Sequence, residues 1–158
     1  MSLKRNFEMR SLLRSIAGAV LLSLIALSTY AAGAKEHRVA IQVNQNDPAL
    51  MNLALNNATN VIEFYKAKGE DVQIEIVTYG PGLHMLRDDT SPVKDRIKQI
   101  VDASFPSSVK FIACGNTKEG MEKREGKAIS VVSEATVVPS GAVRLIELQE
   151  AGWSYLKP

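Results

Sequence analysis

The chain has 158 residues, 46% of them hydrophobic and 23% charged, with a formal net charge of +2. That length supports one domain with a real hydrophobic core, and the composition excludes a disordered or collagen-like chain. No basic patch interleaved with aromatic residues points to nucleic acid.

The charge is unevenly placed. Lys4, Arg5, Arg10 and Arg14, against the single acid Glu8, precede an apolar run from Ile16 to Leu27 and the small residues Ala31, Ala32, Gly33 and Ala34. Basic, then apolar, then Ala-x-Ala is the order of a secretory signal peptide. The expectation is a leader over residues 1–34 and a mature domain over 35–158, periplasmic and not membrane-bound after cleavage. The alternative is an uncleaved anchor, since Ser15 to Ala34 is just long enough to span a bilayer. Without the leader, basic residues fall from 19 to 15 and acidic ones from 17 to 16, so the domain is near −1. One cysteine, Cys114, excludes an internal disulfide, and a lone thiol in an exported protein is either well buried or reactive.

Strands and helices alternate along the mature chain. Arg38 to Val43 reads as a first strand, followed by the polar Asn44-Gln45-Asn46 and by Asp47-Pro48, an N-cap with proline in the first helical turn. Ala54, Ala58, Val61, Ile62 and Tyr65 recur at helical spacing, and Gly69 stops that helix. Val72 to Tyr79 is the second strand, and the Gly80-Pro81-Gly82 that follows predicts a tight turn. Pro92 opens a helix whose inward face is Val93, Ile97, Ile100 and Val101. Val109 to Ala113 is the third strand, with a short polar helix from about Thr117. Ala135 to Val138 is the fourth strand; Ser140 starts a helix with Val143 and Ile146 inward and Gln149 inward or at its edge. Gly152 ends it before a last strand from Trp153 to Leu156. The alternation predicts an α/β fold, a three-layer α/β/α sandwich with a mainly parallel sheet of about five strands.

In such folds ligands bind beyond the carboxyl ends of the strands. That rule collects Asn44 and Asn46 after the first strand and Tyr79, Gly80, Gly82 and His84 after the second. Cys114, Asn116 and Thr117 follow the third strand, and Pro139, Ser140 and Gly141 the fourth. Which loops are neighbours depends on a strand order that the residues do not disclose. Cys114 is the catalytic candidate, because a thiol at a strand end and a helix amino end is stabilised as thiolate. The competing reading is a small buried hydrophobe.

Asn116 and Thr117 are candidates to hydrogen-bond sulfur or to cap the helix, with capping the better reading of Thr117. His84 suits a proton carrier or a loop-packing role. Two histidines beside one cysteine lack metal-ligand spacing, the glycines form no dinucleotide or phosphate fingerprint, and no cofactor is called for. Asn52, Asn56 and Asn60 line one helix face although asparagine is a poor helix former. Solvent exposure or a polar subunit interface would explain them.

Four stretches together resemble the DsrE/F-like sulfur-relay family, in its exported branch. They are Gln42-Val43-Asn44-Gln45-Asn46-Asp47-Pro48, Tyr79-Gly80-Pro81-Gly82-Leu83-His84-Met85-Leu86, Phe111-Ile112-Ala113-Cys114-Gly115-Asn116-Thr117, and Val138-Pro139-Ser140-Gly141 with Gly152-Trp153-Ser154-Tyr155. The resemblance runs from about Arg38 to Pro158. It implies a three-layer domain, assembly as a trimer or hexamer, and persulfide sulfur carried on Cys114 between a sulfane-sulfur or thiol donor and an acceptor. An export signal departs from the cytoplasmic relay members, so their particular partners do not carry over. Two function classes stand: a sulfur carrier or sulfurtransferase-like protein, and a non-catalytic small-ligand-binding or oligomeric protein using the same strand-end pocket.

Overall fold

The computed structural model describes residues 36–158; the expected leader lies outside the described residues. The elements are β1 (His37–Val43), α1 (Pro48–Lys66), β2 (Val72–Thr78), a 3₁₀ helix (Gly80–Met85), α2 (Lys94–Ala103), β3 (Ser108–Cys114), α3 (Gly115–Glu125), β4 (Ala135–Val138), α4 (Gly141–Glu150) and β5 (Ser154–Leu156). The five strands form one sheet in the order β4-β3-β2-β1-β5, and every pairing is parallel. The expected three-layer α/β/α sandwich is what the chain adopts.

Strand order and crossover handedness place the layers. From β1 to β4 the chain steps steadily across the sheet, so right-handed crossovers put α1, α2 and α3 on one face. After β4 it returns to the far edge, beside β1, and the same handedness puts α4 on the opposite face. Strand alternation follows. Ile41, Val43, Ile74, Ile76 and Phe111 enter the large core with Met51, Leu55, Leu83 and Ile97, whereas Ala40, Val77 and Ile112 meet Leu145 and Leu148 of α4 in a smaller one.

Local signals act as the sequence suggests at two helix starts. Asp47 accepts the Ala49 N–H at 2.8 Å with Pro48 in the first turn, and the Ser140 hydroxyl accepts the Val143 N–H. Three expectations are corrected. Helix α3 begins at Gly115 with Cys114 itself at the N-cap, two residues before the expected start. The segment after β2 is a 3₁₀ helix rather than a tight turn, and a Cβ on Gly82 would stand 2.3 Å from the Val43 carbonyl oxygen, so only glycine fits.

In α4 the inward residues are Leu145 and Leu148; Val143 and Ile146 are 51% and 54% exposed and Gln149 is exposed too. Both pairs have three-residue spacing, so periodicity alone did not choose between the stripes. Gly141, packed against β2 and β3, and the reach of Arg144 to Glu75 fix the rotation.

Candidate functional site

Neighbouring strands β3 and β4 send their chains to helices on opposite faces of the sheet, which makes the crevice between them the topological switch point. Cys114, last residue of β3 and paired with Val138 of β4, stands in that crevice. Alternation turns its side chain to the α4 side, where a Cβ on Gly141 would lie 3.2 Å from the Cβ of Cys114. The amino ends of α3 and α4 therefore meet at one sulfur.

The thiol's acidity reflects two opposed effects. Burial pushes its pKa up, since Cys114 is only 4% exposed. The Gly141 N–H, the Thr117 hydroxyl and N–H, and the Asn116 N–H all favour the thiolate, and together they leave the pKa below that of an ordinary cysteine. The thiol is thus buried, as the competing reading expects, even though it stands at a strand end. Gly141 at the start of α4 packs against its Cβ.

Thr117 serves a purpose other than capping. Its hydroxyl accepts the Gly80 N–H at 3.0 Å, tying α3 to the 3₁₀ helix after β2, and it reaches the Cys114 sulfur. An oxygen that accepts one hydrogen bond still has its own proton to donate, so the two contacts are compatible.

On the α3 side of the crevice lies a cavity of about 490 Å³. It is lined by Asn46, Gly80, Pro81, His84, Asn116, Thr117, Gly120, Met121 and Arg124. Five of the expected binding residues, Asn46, Gly80, His84, Asn116 and Thr117, thus come together around one space. Asn44 does not line it, and neither does Cys114, which Thr117 links to the cavity wall. His84 Nδ1 lies 2.8 Å from the Thr90 hydroxyl, which orients the ring. Among the described residues no cluster of three His, Cys, Asp or Glu could hold a metal ion.

Sequence reasoning missed Gly120, Met121 and Arg124 as cavity residues. Their spacing from Thr117, at three, four and seven positions, puts all four on one face of α3 and was a usable signal once Thr117 was singled out. Gly141 was collected as a strand-end residue, but its role as a donor to Cys114 needed the β3–β4 adjacency.

The asparagine row also finds a partner. Arg96 of α2 donates to the side-chain oxygens of both Asn52 and Asn56, the second at 2.8 Å, which leaves Asn60 exposed. Two of the three amides are therefore engaged within the chain.

A model of the DsrE/DsrF-like family matches residues 37–158, which is most of the chain. The chain belongs to the DsrE/DsrF-like family. No curated protein matches this family member. Among solved structures, MTH1491 of Methanobacterium thermoautotrophicum, a protein of unknown function, has a TM-score of 0.63 and 28% identity. That likeness covers 77% of this chain and 99% of the archaeal one. The family is generally related to sulfur relay, and in this DsrE-like chain the single cysteine stands at the switch point of the sheet.

Proposed function

We propose that this DsrE-like protein is an exported sulfur carrier that holds persulfide sulfur on Cys114. The observation that carries the reading is the place of the thiol: Cys114 is the N-cap of α3 at the crevice between β3 and β4, with Gly141 at the start of α4 packed against it. Helix amino ends that favour a thiolate also favour the anion of a persulfide, whose outer sulfur lies one S–S bond beyond the thiol. In the loading step the Cys114 thiolate attacks the sulfane sulfur of a donor. A new S–S bond forms, the donor's S–S bond breaks, and its leaving group departs with the bonding pair. An acceptor thiolate then attacks the outer sulfur and returns Cys114 to thiolate, so the cycle needs no external oxidant.

The proposal includes export, with cleavage before Lys35, and assembly as a trimer or hexamer; donor and acceptor proteins of the envelope would be its partners. N-terminal sequencing of protein from the envelope fraction tests cleavage, and full-length chain in the membrane would establish an anchor instead. Intact mass spectrometry after polysulfide treatment tests the carrier reading. Wild type should gain sulfur-sized mass that dithiothreitol removes, and Cys114→Ser should gain none. The second reading, a non-catalytic ligand-binding protein, is favoured by the 4% exposure of Cys114 beside an open cavity. An unmodified wild type whose thiol resists alkylation until denatured would establish it.

A further inference from the structure

The charge of the cavity walls is one-sided. Its nine lining residues include one guanidinium, one imidazole, two side-chain amides and one hydroxyl, and no carboxylate. Arg124 is also set apart from the other arginines of the described domain. Arg87 pairs with Asp89 and Glu125, Arg144 with Glu75 and Glu147, Arg96 with two asparagines, and Arg38 lies over the Trp153 ring. Arg124 forms no ion pair among the described residues, although acids flank it in the sequence, Glu122 being taken by Lys118 and Glu125 by Arg87. Neighbouring carboxylates are thus occupied elsewhere, and one guanidinium is left over at the cavity.

We infer that this cavity binds a small sulfur oxyanion, with thiosulfate as the member that carries a transferable sulfur. Arg124 supplies a planar fork of donors matched to such oxygens, and the side-chain amides of Asn46 and Asn116 supply neutral donors around it. A volume of about 490 Å³ falls in the ordinary range of small-molecule sites, roughly 300–1,000 Å³, with room for the anion and its waters. Thr117 lines the cavity in the first turn of α3, the helix whose N-cap is Cys114, so an anion held here lies at the helix end that carries the thiol. The choice of a sulfane-bearing anion rests on the carrier reading; anion recognition itself does not.

Binding is tested apart from sulfur transfer by titrating thiosulfate into the Cys114→Ser protein and following backbone amide resonances. Saturable shifts at Thr117 and Gly120, displaced by sulfate, are the expected result. Arg124→Gln should weaken binding by roughly tenfold or more, the loss of a charge-assisted hydrogen bond, while Arg124→Lys should retain part of it. Unchanged thermal melting of both variants checks that the fold is intact. Absence of saturable binding, or equal affinity in Arg124→Gln, would overturn the inference. Loading of Cys114 from a neutral organic trisulfide is measured in parallel on the wild type and on Arg124→Gln: the thiolate attacks the central sulfur and expels one thiolate, and an added thiol then takes the remaining organic group as a disulfide and leaves the persulfide. If both are loaded but thiosulfate does not bind, the anion site alone has failed; if thiosulfate binds and neither is loaded, the carrier reading has failed.

Discussion

A Cβ on Gly141 would stand 3.2 Å from the Cβ of Cys114, and at the same distance from the Thr78 carbonyl oxygen and the Tyr79 Cβ. All three neighbours belong to packed strands or their immediate exits, so the methyl group of Gly141→Ala has little room. The helix end must retreat, taking with it the N–H that favours the thiolate. We expect the variant to lose about 1–3 kcal/mol of stability, the usual range for overpacking. Its Cys114 thiol pKa should rise, measured by pH titration of thiolate absorbance. An unchanged thiol pKa in a folded Gly141→Ala protein would show that α4 does not set the acidity of the site.

Cys114 could be placed from the residues because a β-branched run and a helix start are local signals. The strand end, the short helix after it and the later Ser140 cap are each encoded within a few positions. What surrounds the thiol could not be read that way. Gly141 reaches it only because β4 lies beside β3 and α4 crosses to the other face, and both follow from long-range strand order. The reversed face of α4 has the same origin. Val143 with Ile146, and Leu145 with Leu148, are equally good stripes until Glu75 of β2 selects the rotation through Arg144. Arg124 stayed hidden for a third reason: its meaning lies in the absence of an ion-pair partner among the described residues, which composition does not reveal.

Thr117 joins two contacts in one oxygen, so its substitutions separate them. Thr117→Val removes the acceptor of the Gly80 N–H and the hydroxyl donor to Cys114 at nearly constant volume. The cost should be about 1–2 kcal/mol by urea denaturation, together with a raised thiol pKa. Thr117→Ser restores the hydroxyl and should recover the thiol pKa. If valine and serine variants titrate alike, the hydroxyl plays no part in holding the thiolate.

Arg96 engages two of the three asparagines within the chain, from which we expect that the row does not hold subunits together. Replacing Asn52, Asn56 and Asn60 together by alanine should leave the light-scattering mass of the domain unchanged, whatever that mass is. Arg96→Ala should cost about 0.5–1.5 kcal/mol through lost hydrogen bonds between α1 and α2. A fall in assembly mass on the triple substitution would restore the interface reading.

Acid stability should depend on one buried guanidinium. Arg87 is 1% exposed, and its Nη2 donates to Asp89 at 2.8 Å and to Glu125 at 2.9 Å. Its hydrogen bonds hold the Asp89 carboxyl well below the usual carboxylate range, aided by Lys127, and Glu125 is lowered for the same first reason. Glu122 is lowered too, chiefly by the Ile129 N–H and then by Lys118. A carboxylate with a depressed folded pKa stabilises the fold fully above its unfolded pKa of about 4, and that contribution disappears as the pH falls through the folded value. Melting temperature should therefore drop progressively below about pH 4 as this stabilisation is lost. Arg87→Met should flatten that acid limb while lowering stability at neutral pH. A limb of the same steepness in Arg87→Met would mean that other carboxylates govern acid unfolding.

The ion pair that orients α4 is asymmetric, and its asymmetry predicts which partner matters more. Glu75 is 3% exposed in the middle of β2, whereas Arg144 is partly open to solvent and has Glu147 3.5 Å away as a second partner. Their contact is bidentate, with Nε to Oε2 at 2.9 Å and Nη2 to Oε1 at 2.7 Å. Arg144→Met leaves a buried carboxylate without its bidentate partner, and should cost about 3–5 kcal/mol. Glu75→Gln leaves a neutral acceptor for a guanidinium that can still reach water, so its cost should be smaller. The double variant Glu75→Leu with Arg144→Met removes both charges and should recover most of the loss, which urea denaturation of the full cycle would measure. Equal and additive single costs would exclude a buried-charge penalty. Since α4 presents Gly141 to the thiol, the Arg144→Met protein should also show a raised Cys114 pKa, and the double variant should bring it back down.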